Sequence, residues 1–273
     1  MQSFPVSPQA LLSSAARHRG LLASLAQRDV LGRYRGSLLG LAWSLVTPVL
    51  MLLVYTFVFG VIFQSRWGAG PAESRAEFAL VLFVGMLVFN LFSECLLRAP
   101  GLILGNVNYV KKVVFPLEIL VPVVLSAALF HLVVSLGVWL VAHLLIAGLP
   151  PVTALLFPFV VLPVVLLALG LAWLLASLGV YLRDVGQVIA VVVTALLFLA
   201  PVFYPLTAVP ADVRGWLYLN PLTLPIEMSR DVLYWGRVPA VTTWLAALAG
   251  GALVAWAGFA WFQKTRKGFA DVL

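Results

Sequence analysis

Charge is scarce in this chain. Only 10% of its 273 residues are charged and 63% are hydrophobic, whereas a water-soluble domain is about a quarter charged and half apolar. A water-soluble globular fold is excluded on that ground. Cysteine is scarcer still. Cys95 is the single one, so neither an intramolecular disulfide nor a cysteine-rich metal site is possible. His18, His131 and His143 are far apart in sequence with no carboxylate close by, and they read as hydrogen-bonded packing groups, not metal ligands. Alternating apolar and polar residues are missing, which removes a transmembrane β-barrel. No glycine-rich phosphate loop precedes Lys111, Lys112, Lys264 or Lys267, so the chain has no ATP-hydrolysing P-loop of its own. No catalytic residue, metal ligand or cofactor is assigned to it.

Long apolar runs are what the sequence has in abundance. A bilayer takes about 20 apolar residues per spanning helix, and six runs meet that need: Leu38–Phe63, Phe78–Leu97, Leu117–Ala147, Val152–Leu182, Val185–Tyr204 and Ala240–Phe262. The fold class is therefore an all-α membrane protein with six transmembrane helices. Pro48, Pro122, Pro158 and Pro163 predict kinks or helix starts within them. Residues 1–37 lack the compact apolar core of a signal peptide. Instead Leu11, Ala15, Leu22 and Ala26 fall within about 60° of one another at 100° per residue, which predicts an amphipathic helix over Pro8–Val30 lying in the membrane surface. The membrane domain covers residues 38–262, and a short tail occupies 263–273.

The loop 205–239 is unusual in staying rich in Leu, Trp, Tyr and Pro. Pro210-Ala211-Asp212 and Leu224-Pro225-Ile226-Glu227 both read as helix starts, with proline and an acid in the first turn. Two short re-entrant external helices are expected there, broken at Asn220-Pro221.

Loop charges orient the six spans. Both termini and the loops after spans two and four carry Arg17, Arg19, Arg28, Arg33, Arg35, Arg98, Lys111, Lys112, Arg183, Lys264, Arg266 and Lys267, opposed only by Asp29, Glu118, Asp184 and Asp271. The other side is balanced: Arg66, Arg75, Arg214, Arg230 and Arg237 face Glu73, Glu77, Asp212, Glu227 and Asp231. The basic face is expected to be cytoplasmic, with both termini on it. Nucleic acid is not an expected partner. Within the spans only Glu94 stands out, and Arg98 one turn later is its natural partner. A single carboxylate is a thin basis for a proton relay.

A chain of this kind moves or anchors something without an energy source of its own. Its sequence resembles the ABC-2 type permeases that export polysaccharides. The resemblance rests on Arg28-Asp29-Val30-Leu31-Gly32-Arg33-Tyr34-Arg35-Gly36-Ser37 through Pro48, on Val110–Leu120, and on Tyr181-Leu182-Arg183-Asp184-Val185. Pro201-Val202-Phe203-Tyr204-Pro205, Leu219–Thr223 and the final Gly268–Leu273 continue it in the same order. It implies a homodimer of this subunit bound to two copies of a separate ATPase subunit that holds ATP and Mg, in the bacterial inner membrane. It implies ATPase contacts at the amphipathic helix and at Asn106, Asn108, Tyr109, Lys111, Lys112, Arg183 and Asp184. Asn106 or Asn108 is the expected cap of a helix in the first of these loops. The implied cargo is a lipid-linked polysaccharide of the O-antigen or teichoic-acid type.

Aromatic residues suit a sugar path. Tyr55, Phe59 and Phe63 share one face of span one at four-residue spacing, and Phe198, Phe203 and Tyr204 end span five. The same residues suit lipid-facing and interfacial positions. Arg28, Arg33 and Arg35 precede span one, where guanidinium forks fit either a lipid pyrophosphate or anionic lipid head groups. Export of drugs or small hydrophobic molecules is the alternative cargo. An integral membrane glycosyl- or acyltransferase is the alternative activity, and it requires a carboxylate or histidine cluster at a membrane surface that the sequence does not display.

Overall fold

The computed structural model describes residues 5–62, 67, 75–111 and 115–273. It is predominantly helical, with no strand among the described residues. Five helical stretches are long and apolar enough to cross a membrane: Gly40–Ile62, Ala76–Arg98, Leu117–Ile146, Val152–Tyr181 and Val241–Val272. Their main helices are α3 (Trp43–Tyr55, continued by a π-helical Thr56–Ile62), α4 (Arg75–Arg98), α6 (Leu120–Ile146), α7 (Phe157–Tyr181) and α11 (Val241–Thr265).

The remaining run departs from the sequence expectation. Its helix α8 covers Val185–Leu199 only, about 22 Å at 1.5 Å per residue, short of a hydrocarbon core of about 30 Å. Pro201 is the reason: it pushes the preceding Ala200 to extended geometry, at φ −84° and ψ 148°. Ala200, Pro201 and Val202 are then buried as non-helical backbone.

Helix α4 forms the centre. In its most apolar stretch 78% of residues are buried, against 11% in span one, and it packs against α6, α7, α8 and α10. Helices α7 and α11 lie along each other. Small residues allow it, because a Cβ on Gly170 or Gly258 would strike the facing backbone.

Two prolines inside the bundle show how the freed backbone is satisfied. Proline at position i removes the hydrogen bond to the carbonyl of i−4. Pro122 frees the Glu118 carbonyl, and the Trp173 indole donates to it at 3.0 Å. Pro163 frees the Phe159 carbonyl, which accepts from the Trp244 indole at 2.9 Å. In a bilayer no water would supply those donors.

The amphipathic segment is two helices, α1 (Pro8–Arg17) and α2 (Arg19–Tyr34), because the chain breaks helical geometry at His18. Leu22 and Leu25 of α2 pack on Phe115, Ile119 and Val123 at the start of span three. The segment therefore docks on protein as well as presenting a polar face; the side chains of Leu11 and Ala15 lie outside the described set. The short helices of the 205–239 loop are α9 (Ala211–Leu217) and α10 (Thr223–Arg230, widening into a π turn over Asp231–Trp235).

Side-chain contacts fix which helix ends meet. Arg98 on Asp29, Arg266 on Glu118 and Tyr181 on the Thr265 carbonyl gather α2, the end of α4, the start of span three and the ends of α7 and α11 at one basic end. Arg230 on the Val81 carbonyl and Thr153 on the Val232 carbonyl gather the 205–239 helices and the other helix ends at the opposite end.

Candidate functional site: a charge network beneath a polar crevice

Three helices, α2, α4 and α6, build a charge network at the basic end. Arg98 grips Asp29 through both terminal nitrogens, at 2.8 and 2.6 Å, and reaches Glu94 at 3.7 Å. Glu94 also accepts from Arg33 at 2.6 Å and lies 3.0 Å from His131 Nδ1. Tyr34 completes the group with its hydroxyl 2.9 Å from His131 Nε2. Burial raises the pKa of the Tyr34 phenol, so it stays protonated at neutral pH. His131 Nδ1 faces both Glu94 and, at 3.2 Å, the Arg33 guanidinium, so the tautomer decides which of the two it pairs with. Both carboxylates are thus held by guanidinium groups, an arrangement suited to positioning α2 on α4 and α6 more than to proton transfer.

This network corrects one expectation. His131 does have a carboxylate partner, and acids and a histidine do cluster at the membrane surface. The residues come from positions 37 and 69 apart in the chain, a separation that no local motif spans. Among the described residues, no group of three or more His, Cys, Asp or Glu side chains is arranged to hold a metal ion.

Above the network, α3, α4 and α6 part to leave a crevice of about 520 Å³. Arg33, Glu94 and His131 form its charged end. Thr47, Tyr55, Asn90 and Ser135 line it further in, over an apolar wall that includes Met51 and Phe83. A second groove, of about 590 Å³, holds Arg28 and Arg35 together with Gln27 and Tyr34. The three arginines are all exposed but differ in partner: Arg33 pairs with Glu94, while Arg28 and Arg35 line the second groove.

The expected aromatic path divides similarly. Tyr55 lines the crevice. Phe59 stacks on Phe203, with ring centroids 5.4 Å apart and planes at 14°, and Phe203 contacts Phe198 at 5.9 Å. Tyr204 donates to the Phe198 carbonyl at 3.1 Å. Spans one and five thus meet near the end of α8. Phe63 lies outside the described residues.

At the basic end, α5 (Val107–Lys111) carries Asn108, Tyr109 and Lys111, with Asn106 just before it. The Asn106 side chain donates back to the Leu102 carbonyl at 2.9 Å, away from α5. Tyr109 stacks on Phe115 at 4.3 Å and accepts from Arg28 at 3.1 Å, which ties this loop to α2. Lys111 is exposed, as are Arg183 and Asp184 at the turn into α8; Lys112 lies outside the described residues. That turn follows closely on Gly179, whose missing side chain lets the Pro100 carbonyl approach.

One anchor was not legible in the sequence. Arg230 is fully buried and donates to the carbonyls of Pro201 at 2.6 Å, Val202 at 2.8 Å and Val81 at 3.2 Å. Its remaining partners are Glu227, at 2.6 Å, and the face of Trp67, 4.1 Å away. The carbonyls left free where α8 stops are among those it satisfies. Burial lowers its pKa to about 10, which leaves it charged at neutral pH.

Membrane-length helices around a polar crevice define a multi-pass membrane protein. A family model described as ABC-2 type transporter matches residues 20–234, and the chain belongs to that family. It is 30% identical to the O-antigen export system permease protein RfbA of Myxococcus xanthus over 263 residues, 96% of this chain and 98% of that protein. It is 21% identical to an RfbA of the same description from Klebsiella pneumoniae, over 93% of this chain and 95% of the relative. With the polysialic acid transport protein KpsM of Escherichia coli it shares 22% over 79% of this chain and 81% of the relative.

Proposed function

We propose that this chain is the membrane subunit of an ATP-driven exporter that moves a lipid-linked polysaccharide, O-antigen-like in type, out of the cytoplasm. The observation that carries this reading is the similarity over almost the full length to relatives named for O-antigen export. The polar crevice agrees with it, because its uncharged amide and hydroxyl groups can pair with sugar hydroxyls.

In this reading ATP and Mg bind a separate ATPase subunit, and two copies of each chain assemble in the bacterial inner membrane with both termini in the cytoplasm. The exposed residues Asn108, Lys111, Arg183 and Asp184 face the ATPase, and motion there reaches α2 through the Arg28–Tyr109 contact. Arg28 and Arg35 meet the phosphate end of the lipid or neighbouring anionic head groups. The transferase alternative loses ground to the pairing of Asp29 and Glu94 with arginines.

Co-expression with a candidate ATPase subunit tests the proposal. A complex that hydrolyses ATP, and loses most of that activity on Asp184→Ala together with Lys111→Ala, is expected. ATP hydrolysis by the chain alone, or no complex with any ATPase, would overturn it.

A further inference from the structure

Asn90 is out of place. It sits two turns in from Arg98, about 12 Å along the helix, on the span that is otherwise the most deeply buried. Each of residues 78–89 before it is buried, and Asn90 is the first exposed position after that stretch. Among the described residues its side-chain amide has no hydrogen-bond partner. An unpaired amide facing hydrocarbon is costly, and polar groups at such depth usually serve a polar path or ligand.

The crevice explains it. Asn90 shares that cavity with Thr47, Tyr55 and Ser135, none of which has a side-chain hydrogen bond among the described residues. One amide and three hydroxyls from three helices therefore point into a single space of about 520 Å³, within the usual range for a small-molecule site of about 300–1,000 Å³. All four are uncharged and all four both donate and accept. Their complement is a ligand dense in hydroxyl groups. The apolar wall opposite, with Met51 and Phe83, suits the C–H faces of a sugar ring. The charged end, with Arg33, lies toward the basic end of the bundle, where a lipid phosphate would sit.

We infer that the crevice between α3, α4 and α6 holds the sugar unit nearest the lipid phosphate, with Asn90, Tyr55 and Ser135 as its hydrogen-bonding residues. This deepens the export reading and rests on it. It places sugar recognition inside one subunit, separate from the aromatic contacts of Phe59, Phe198 and Phe203.

The test uses the full chain with its ATPase partner in lipid nanodiscs and two probes: a polyprenyl pyrophosphate carrying one hexosamine, and the same lipid bare. Asn90→Leu and Ser135→Val are each expected to weaken the sugar-bearing lipid about tenfold, the equivalent of one lost hydrogen bond, and to leave the bare lipid unchanged. Equal affinity for both probes in variant and wild type would overturn the inference, as would an equal loss for both. Failure of the wild type to bind either lipid would overturn the export reading itself. Because Cys95 is buried, Asn90→Cys gives an independent readout that tolerates poor folding of the leucine variant. Its labelling by a polar thiol reagent should be slowed by the sugar-bearing lipid and not by the bare one; protection by neither probe, or by both alike, would count against the site.

Discussion

Arg98 and Asp29, 69 positions apart, form a two-point ion pair that joins the end of span two to the amphipathic helix. The pair is planar fork to carboxylate, the geometry that gives a guanidinium its strongest hydrogen bonds. Both side chains are about three-quarters enclosed, so water and salt screen the pair less than at an open surface.

Asp29→Ala should therefore loosen α2 from the bundle, by about 1–2 kcal/mol for a charged hydrogen-bonded pair at partial exposure. Hydrogen exchange over residues 19–34 would report it as faster exchange. An Asp29→Arg, Arg98→Asp exchange should restore part of the protection; if it restores none, the contact is not the tether.

Arg230 is expected to tolerate no replacement. Arg230→Met would leave the buried Pro201 and Val202 carbonyls without their donor and the half-buried Glu227 without its partner, at about 3–5 kcal/mol. Lysine, with a compact ammonium and no fork, cannot serve the same carbonyls. Thermal unfolding of the detergent-solubilised chain should fall for both variants, and proteolysis within 205–239 should accelerate.

Gly258→Leu should separate α11 from α7. A Cβ at Gly258 strikes the Gly170 backbone, which cannot move aside as a flexible side chain would. Overpacking of this kind costs about 1–3 kcal/mol, read as a lower melting temperature. Gly250→Leu, at a position with no atoms near the added Cβ, is the matched control and should melt like the wild type.

Acidity should favour the 205–239 helices. Burial raises the carboxyl pKa of Glu227 above its ordinary 4.5, although Arg230 partly counters it. Burial likewise raises Asp231 above 3.8, against the pull of Arg237. An acid with a raised folded pKa binds its proton more tightly folded than unfolded. Its stabilising contribution is therefore full below the unfolded value and is lost as pH rises through the folded one. Melting temperature should decline as pH rises from about 4 toward neutrality, and Asp231→Asn should flatten part of that decline. A slope unchanged in the variant would refute the assignment.

Much of this architecture was legible in the amino-acid sequence. Continuous apolar runs located the membrane-length helices within a few residues, and Pro210 and Pro225 located the two short helices of the 205–239 loop. Proline also explains the main departure, since Pro201 shortens α8, an effect that hydropathy alone does not register. The site was less legible. Glu94 with Arg98 follows from one-turn spacing, but Glu94 with His131, Asp29 with Arg98, and Arg230 with Val81 depend on how separate helices meet. Asn90 did carry a signal: an amide inside an apolar run is anomalous without any fold.

Two glycines bound the start of span one, Gly36 at φ +85° and Gly40 at φ +52°, conformations that side-chain-bearing residues rarely adopt. They isolate that span from α2, which is clamped to the rest of the bundle, and the span itself shares little buried surface with its neighbours. Span one is thus a wall hung on an elbow. The angle of that wall sets the volume of the crevice, and the Phe59–Phe203 stack is what holds the angle at its far end.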